Sequence, residues 1–269
     1  MSPRLAAFRA FAETAGDAGL IVVKVETAEG STPREAGAFM AVSQDAFFGT
    51  IGGGRLEMEA IARARALLKG EATETNMTLP LGPEIGQCCG GRVALSFRHH
   101  RSDLAAVERL VADEAARDPQ VWIFGGGHVG RALVATLSLL PVQPHLVETR
   151  SDELALAPEG AERHLVAMPE SLVPAIAPGG AVIVLTHDHA LDFLIVEAAL
   201  ARPDLAYVGM IGSKTKRATF ASQYRRAGHD AAGLARLTCP IGSKIEDKRP
   251  EVIAVTVAAE LMALLSAPG

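Results

Sequence analysis

The chain is short of several things, and each shortage closes a class of function. Its 269 residues include three cysteines, one tryptophan and two tyrosines, with aromatics at 4%. Cys88 and Cys89 are adjacent and Cys239 stands far from them, which makes no disulfide framework and reads as a reducing, cytoplasmic compartment. Neither sign of charge dominates: 26 basic against 31 acidic residues leave a formal net charge of -5, so no global field draws in nucleic acid or anionic lipid. Long apolar runs are missing too. LIVVKV at 20–25 and AVIVL at 181–185 fall well short of the ~20 residues of a membrane span. No basic-then-apolar signal pattern follows Met1, so export is not expected.

What the chain does have is core and glycine: 49% hydrophobic residues and 26 glycines. The length suits two domains of roughly 100 to 150 residues each. Asp118-Pro119, after an amphipathic stretch at 103–117, marks a boundary and gives domains 1–118 and 119–269. In the first, GLIVVKVE reads as a buried strand, AFMAVS and AFFGTI as a hairpin, and TNMTLP and RVALSF as further strands. A helix after Gly54 would bury Leu56, Ala60, Ala64 and Leu67 and pair Glu59 with Arg63 on its exposed side. The second domain alternates apolar strands with helices, the pattern of a parallel sheet covered on both faces. Its last helix, 250–265, is apolar around most of its circumference, which suggests burial between domains or between subunits.

The best placed motif is Gly125-x-Gly127-x-x-Gly130, with His128 inside it, between the strand VWIFG and a helix. The first glycine permits a tight turn, the second lets a phosphate approach the backbone, and the third lets helix and strand pack closely. Glu148 ends the next strand, where an acid would grip a ribose hydroxyl. Further strand ends carry His187, Asp188, His189 and Asp192, then Ser213, Lys214, Lys216 and Arg217. Asp188 can be a plain helix cap. The two histidines lack a third ligand, which argues against catalytic zinc there. A cationic first turn at Lys214, Lys216 and Arg217 opposes the helix dipole unless an anion lies near.

In the first half, Arg34 lies in a proline-fixed loop, and Gly52, Gly53 and Gly54 run into Arg55 and Glu57 at a helix start. Those glycines serve either a tight turn or backbone amides offered to an anion. Cys88 and Cys89 are a poor zinc chelate; they are either two small buried residues or thiols near a soft metal or a sulfur-transfer partner. Cys239 reads as structural.

Taken in order, GSTPREAGAFM, GTIGGGRLE, LGPEIGQCCGG, FGGGHVG, THDHALD, YVGMIGSKTKR and CPIG with the PEVIAV helix resemble the XdhC family of xanthine dehydrogenase accessory proteins, over about 30–265. Ser243, in the loop after CPIG, departs from the family pattern. The resemblance implies an α/β chain, with an N-terminal α+β XdhC/CoxI-type domain followed by a C-terminal Rossmann-like one. It also implies a non-catalytic, dimeric carrier of molybdenum cofactor (molybdopterin). Such a carrier holds its cargo while a NifS-like cysteine desulfurase exchanges an oxo ligand for a sulfido one, then delivers it to the molybdenum-binding subunit of xanthine dehydrogenase. On that reading Arg34, Gly52, Gly53, Gly54, Arg55, Glu57, Gly125, Gly127, His128, Gly130, Glu148, His187, His189 and Lys214 hold the cofactor, and Cys88 and Cys89 face its molybdenum. The other reading is an NAD(P)-dependent oxidoreductase using the GGGHVG site, with His187 or His189 as acid or base.

Overall fold

A computed structural model describes residues 3–81, 90–101, 103–242 and 246–265. The chain divides into two compact units, one of residues 4–113 and the other of the residues from 114 onward. Ser243, Cys88 and Cys89 lie outside the described residues.

The first unit is built on an antiparallel sheet. Its elements are α1 (Pro3–Glu13), β1 (Leu20–Glu29), β2 (Phe39–Val42), β3 (Phe47–Gly49), α2 (Gly54–Lys69), β4 (Asn76–Leu81), β5 (Gly91–His100) and α3 (Leu104–Ala115). The strand order is β3-β2-β1-β5-β4. Strand β1 is central, and both of its faces are covered. Ile21, Val23 and Val25 pack with Met40 against Leu56, Ala60 and Ala64 of α2. Leu20 and Val22 pack on the opposite face with Phe8, Phe11, Val107 and Val111. Two apolar faces explain why residues 20–23 read as one unbroken apolar run.

Two surface details of α2 differ from the sequence reading. Glu59 pairs with Arg55 at 2.7 Å, and Arg63 reaches Glu74 at 3.2 Å, so the expected Glu59–Arg63 pair does not form. Leu68 rather than Leu67 closes the buried stripe, since the apolar face drifts around the helix at 3.6 residues per turn.

The second unit is a six-stranded parallel sheet. Its elements are β6 (Gln120–Phe124), α4 (His128–Leu137), β7 (Gln143–Glu148), α5 (Ser151–Ala155), β8 (Glu162–Leu165), β9 (Ala181–Val184), α6 (His189–Leu200), β10 (Tyr207–Met210), α7 (Lys214–Arg226), α8 (Ala231–Ala235), β11 (Leu237–Thr238) and α9 (Pro250–Leu265). The order β11-β10-β9-β6-β7-β8 is doubly wound: the chain leaves β6 toward β7 and β8, then returns to the other side of β6 for β9 onward. The topological switch point therefore lies between β6 and β9. One face packs α4 and α9 through Leu133, Val134, Leu137, Val257 and Leu261. The other packs Ile195, Val196, Phe220 and Tyr224 of α6 and α7. The buried face of α9, including Ala254 and Ala258, belongs to this unit's own core. No helix among the described residues is long and apolar enough to cross a membrane.

Candidate functional site

At the switch point the three motif glycines do different work. Gly125 has φ +122, and a Cβ there would sit 2.5 Å from the carbonyl oxygen of Leu185 on the neighbouring crossing. A Cβ on Gly130 would strike the carbonyl oxygen of Gly125. These two glycines are required by the packing of turn, strand and helix. Gly127 is different: it has an ordinary φ of -65, and a Cβ there would meet nothing within 4 Å. It caps α4 with no side-chain hydrogen bond, whereas Asp188 and Ser213 cap α6 and α7 with their own oxygens. His128 is exposed on the first turn.

Glu148 lies at the end of β7 with only 3% exposure. Its Oε2 accepts from the Gly126 N–H at 2.7 Å and from Arg150 at 3.1 Å, and its Oε1 accepts from the N–H groups of Thr149 and Arg150. Burial pushes its pKa up, but the Arg150 guanidinium and these N–H donors outweigh it and hold the carboxyl at about 2. The carboxylate thus fills its hydrogen-bonding capacity within the protein. Arg131 fastens the same loop from the other side, donating to the Gly126 carbonyl at 2.9 Å and to Glu153 at 2.6 Å.

Gly125, Glu148, Thr149, Thr186 and His187 line one small cavity of about 10 Å³, which holds at most about one water. His189 turns elsewhere, to a groove of about 670 Å³ between α6 and α7 that it shares with Phe193, Glu197, Ser213 and Lys216. The fold therefore separates the two histidines of the HDH stretch.

Two of the three cations in the first turn of α7 have partners inside the protein. Asp192 is fully buried, accepts from the Thr186 N–H at 2.9 Å and from its hydroxyl at 2.7 Å, and pairs with the Lys216 ammonium. Arg217 donates to the carbonyl of Leu237. Lys214 is exposed. Cys239 is buried, and burial pushes its thiol pKa up despite the nearby charges of Lys216 and Arg217.

The first unit gathers a second glycine loop. Gly52, Gly53 and Gly54 all have positive φ, from +127 to +61. A Cβ on Gly52 would strike the Pro33 ring and come 3.7 Å from Cγ of Arg34, so the Arg34 loop lies directly against the glycine loop. A Cβ on Gly53 would meet nothing within 4 Å. Glu57 turns back on its own helix start, where its Oε2 accepts from the Gly53 N–H at 2.6 Å and from the Thr50 hydroxyl at 2.8 Å. Arg34 and Arg55 are exposed, with Arg55 held by Glu59. The chain that follows Cys89 enters β5 beside this loop: a Cβ on Gly91 would lie 2.5 Å from the carbonyl oxygen of Ser31. Arg34, the three glycines and the start of β5 are thus brought together within one unit.

The residues that sequence reasoning missed are His145, Glu162 and His164, whose ligand atoms all lie within 4.8 Å of one another. The only signal was the alternate spacing of Glu162 and His164 in a short strand.

A doubly wound sheet with a glycine turn at its switch point, joined to an α+β unit, defines a Rossmann-type two-unit protein. The chain belongs to the XdhC family: residues 121–261 match the XdhC Rossmann domain, and residues 15–78 match the XdhC and CoxI family. It is 25% identical over 259 residues to the uncharacterized protein YqeB of Escherichia coli (strain K12), covering 92% of this chain and 44% of that protein. The chain thus spans less than half the length of that curated relative. A crystal structure described as a xanthine dehydrogenase from Bacillus halodurans shares the fold, with a TM-score of 0.78 at 18% identity over 100% of this chain and 97% of that one.

Proposed function

We propose that this chain is a non-catalytic maturation factor for xanthine dehydrogenase. It binds molybdenum cofactor, shelters it while a NifS-like cysteine desulfurase replaces an oxo ligand with a sulfido one, and hands it to the molybdenum-binding subunit of the apoenzyme. Family membership supports the class of role. The observation that supports the binding is Gly127: Gly125 and Gly130 are demanded by internal packing, whereas a Cβ on Gly127, at the start of α4, would meet nothing within 4 Å. A phosphate fits that space, because a glycine-capped helix start offers N–H groups and the positive end of its dipole. Gly53 provides a second open position, next to Gly52, against which the Arg34 loop packs. Bound cofactor supplies a phosphate, a hydrogen-bonding heterocycle and a thiolate-held metal centre. The protein's part is to hold and orient it, with Arg34 and the thiols of Cys88 and Cys89 toward the metal end, in a cytoplasmic homodimer.

A second reading, NAD(P)-dependent hydride transfer, draws on the same strand order and glycine turn. Two facts count against it. The carboxylate of Glu148 is already occupied by backbone and Arg150 donors, and His187 and His189 line different cavities.

The deciding experiment purifies the protein from a molybdenum-replete host and measures molybdenum and molybdopterin retained through gel filtration, then reconstitution of apo xanthine dehydrogenase. Retained cofactor that activates the apoenzyme supports the carrier. Steady NAD(P)H turnover with a small substrate and no retained cofactor overturns it.

A further inference from the structure

Strand pairing lays a row of residues across the second sheet: Val182, Trp122, His145 and Glu162, on β9, β6, β7 and β8 in turn. His164 stands two residues beyond Glu162 on the same strand, so the pleat returns it to the same face. The His145 ring lies on the Trp122 indole with centroids 4.3 Å apart and planes 2° apart, and His164 stacks on the same indole at 4.9 Å. The indole fixes both rings, and their nitrogens converge. His145 Nδ1 is 3.2 Å from His164 Nε2 and 3.9 Å from Glu162 Oε2, and His164 Nε2 is 3.8 Å from Glu162 Oε1.

We propose that His145, Glu162 and His164 bind a divalent transition-metal ion of the zinc and copper class, bridging β7 to the edge strand β8. Around a tetrahedral ion with bonds near 2.1 Å, ligand atoms stand roughly 3.4 Å apart, so small side-chain adjustments close the observed triangle. Two imidazoles and one carboxylate suit zinc, copper or nickel; calcium and magnesium call for more oxygen ligands. Exposure is graded across the ligands, with side chains 8% exposed at His145, 20% at His164 and 62% at Glu162. One end of the site is thus held in the sheet while the other opens to solvent, where water can complete the coordination. Among the described residues β8 pairs with no strand other than β7, so an ion here adds a side-chain tie to an edge strand. The 3.2 Å contact also suits an N–H donated between two neutral rings. That bond uses a lone pair the metal needs, so the two states compete.

Trp122 is the chain's only tryptophan, and its emission reports on both histidines. The test titrates the protein with copper(II) chloride at neutral pH, then adds excess EDTA. We expect saturable quenching at one equivalent, recovery when the chelator removes the copper, a weaker apparent copper affinity in protein first loaded with zinc(II), and a loss of affinity of roughly tenfold or more in Glu162→Gln and His164→Ala. Copper held by other histidines gives quenching that survives both changes. Unsaturable quenching, or parental affinity in both variants, overturns the site. Should His164→Ala fail to melt cooperatively, Glu162→Gln decides alone.

Discussion

The carboxylate of Glu148 holds the amide of Gly126 at 2.7 Å, joining the end of β7 to the turn that opens α4. Because the same carboxylate also takes the Arg150 guanidinium, one buried side chain fastens the glycine loop at the switch point. The shape of that loop therefore depends on Glu148.

The first prediction concerns acid stability. The folded carboxyl titrates at about 2, against an ordinary 4.5. A carboxyl depressed on folding stabilises the protein above its unfolded value and loses that contribution as pH falls toward the folded one. The gap corresponds to about 3 kcal/mol at neutral pH. Glu148→Gln should therefore lower unfolding free energy in urea by roughly 2 to 3 kcal/mol at pH 7, and the deficit should narrow steadily below pH 4.5. A deficit independent of pH would mean that shape, not charge, holds the loop.

A second prediction follows from Asp192 and Lys216. The carboxylate is fully buried, and Lys216 is its only cationic side-chain partner among the described residues. Lys216→Met strands a buried charge and should cost on the order of 3 to 5 kcal/mol. Asp192→Asn keeps the Thr186 contacts and frees a lysine close to solvent, so it should cost less. In the double variant the two costs should fall well short of adding. Simple additivity in thermal or urea unfolding would show that the pair is not coupled.

The third prediction tests the thiols. Replacing either cysteine with alanine removes little volume, so stability should change by only ~1 to 2 kcal/mol. An arginine near a thiol favours the reactive thiolate, and the Arg34 loop borders the start of β5, just after Cys89. One of Cys88→Ala and Cys89→Ala should lose the ability to activate apo xanthine dehydrogenase while its melting temperature stays near normal. If both reconstitute fully, the thiols do not serve the metal end.

Much of the fold was legible because its signals are local. The strands β6, β9 and β10 are carried by short apolar runs, the GGGHVG turn sits between strand and helix, and Asp188 caps α6 as its position suggests. What escaped reading depends on strand register and burial. Lys216 looked like a cation awaiting a ligand because its partner, Asp192, lies 24 residues earlier and enters the interior only when α6 packs. His145 and His164 are 19 residues apart, and nothing in either segment announces that parallel pairing sets them on one indole. The strand β11 has two residues, too few for any periodicity.

The last prediction separates fold from function within a single motif. Glycines in a G-x-G-x-x-G turn are usually treated as a set, but their surroundings here differ. At Gly130 an added methyl meets the Gly125 carbonyl, an atom of the backbone that cannot rotate away. Gly130→Ala should thus destabilise by on the order of 3 kcal/mol, and any loss of binding would follow from loss of structure. At Gly127 the backbone is already in a region open to every residue, and the space beside it is empty. Gly127→Val should cost about 1 kcal/mol, the difference between a good and a poor helix cap. Its side chain would nonetheless occupy the place assigned to the phosphate. The comparison is made by measuring urea unfolding and cofactor retention on the same two samples. A folded Gly127→Val protein that keeps its cofactor would show that the turn is architectural, and would move the binding site to the Arg34 and Gly53 loop of the first unit.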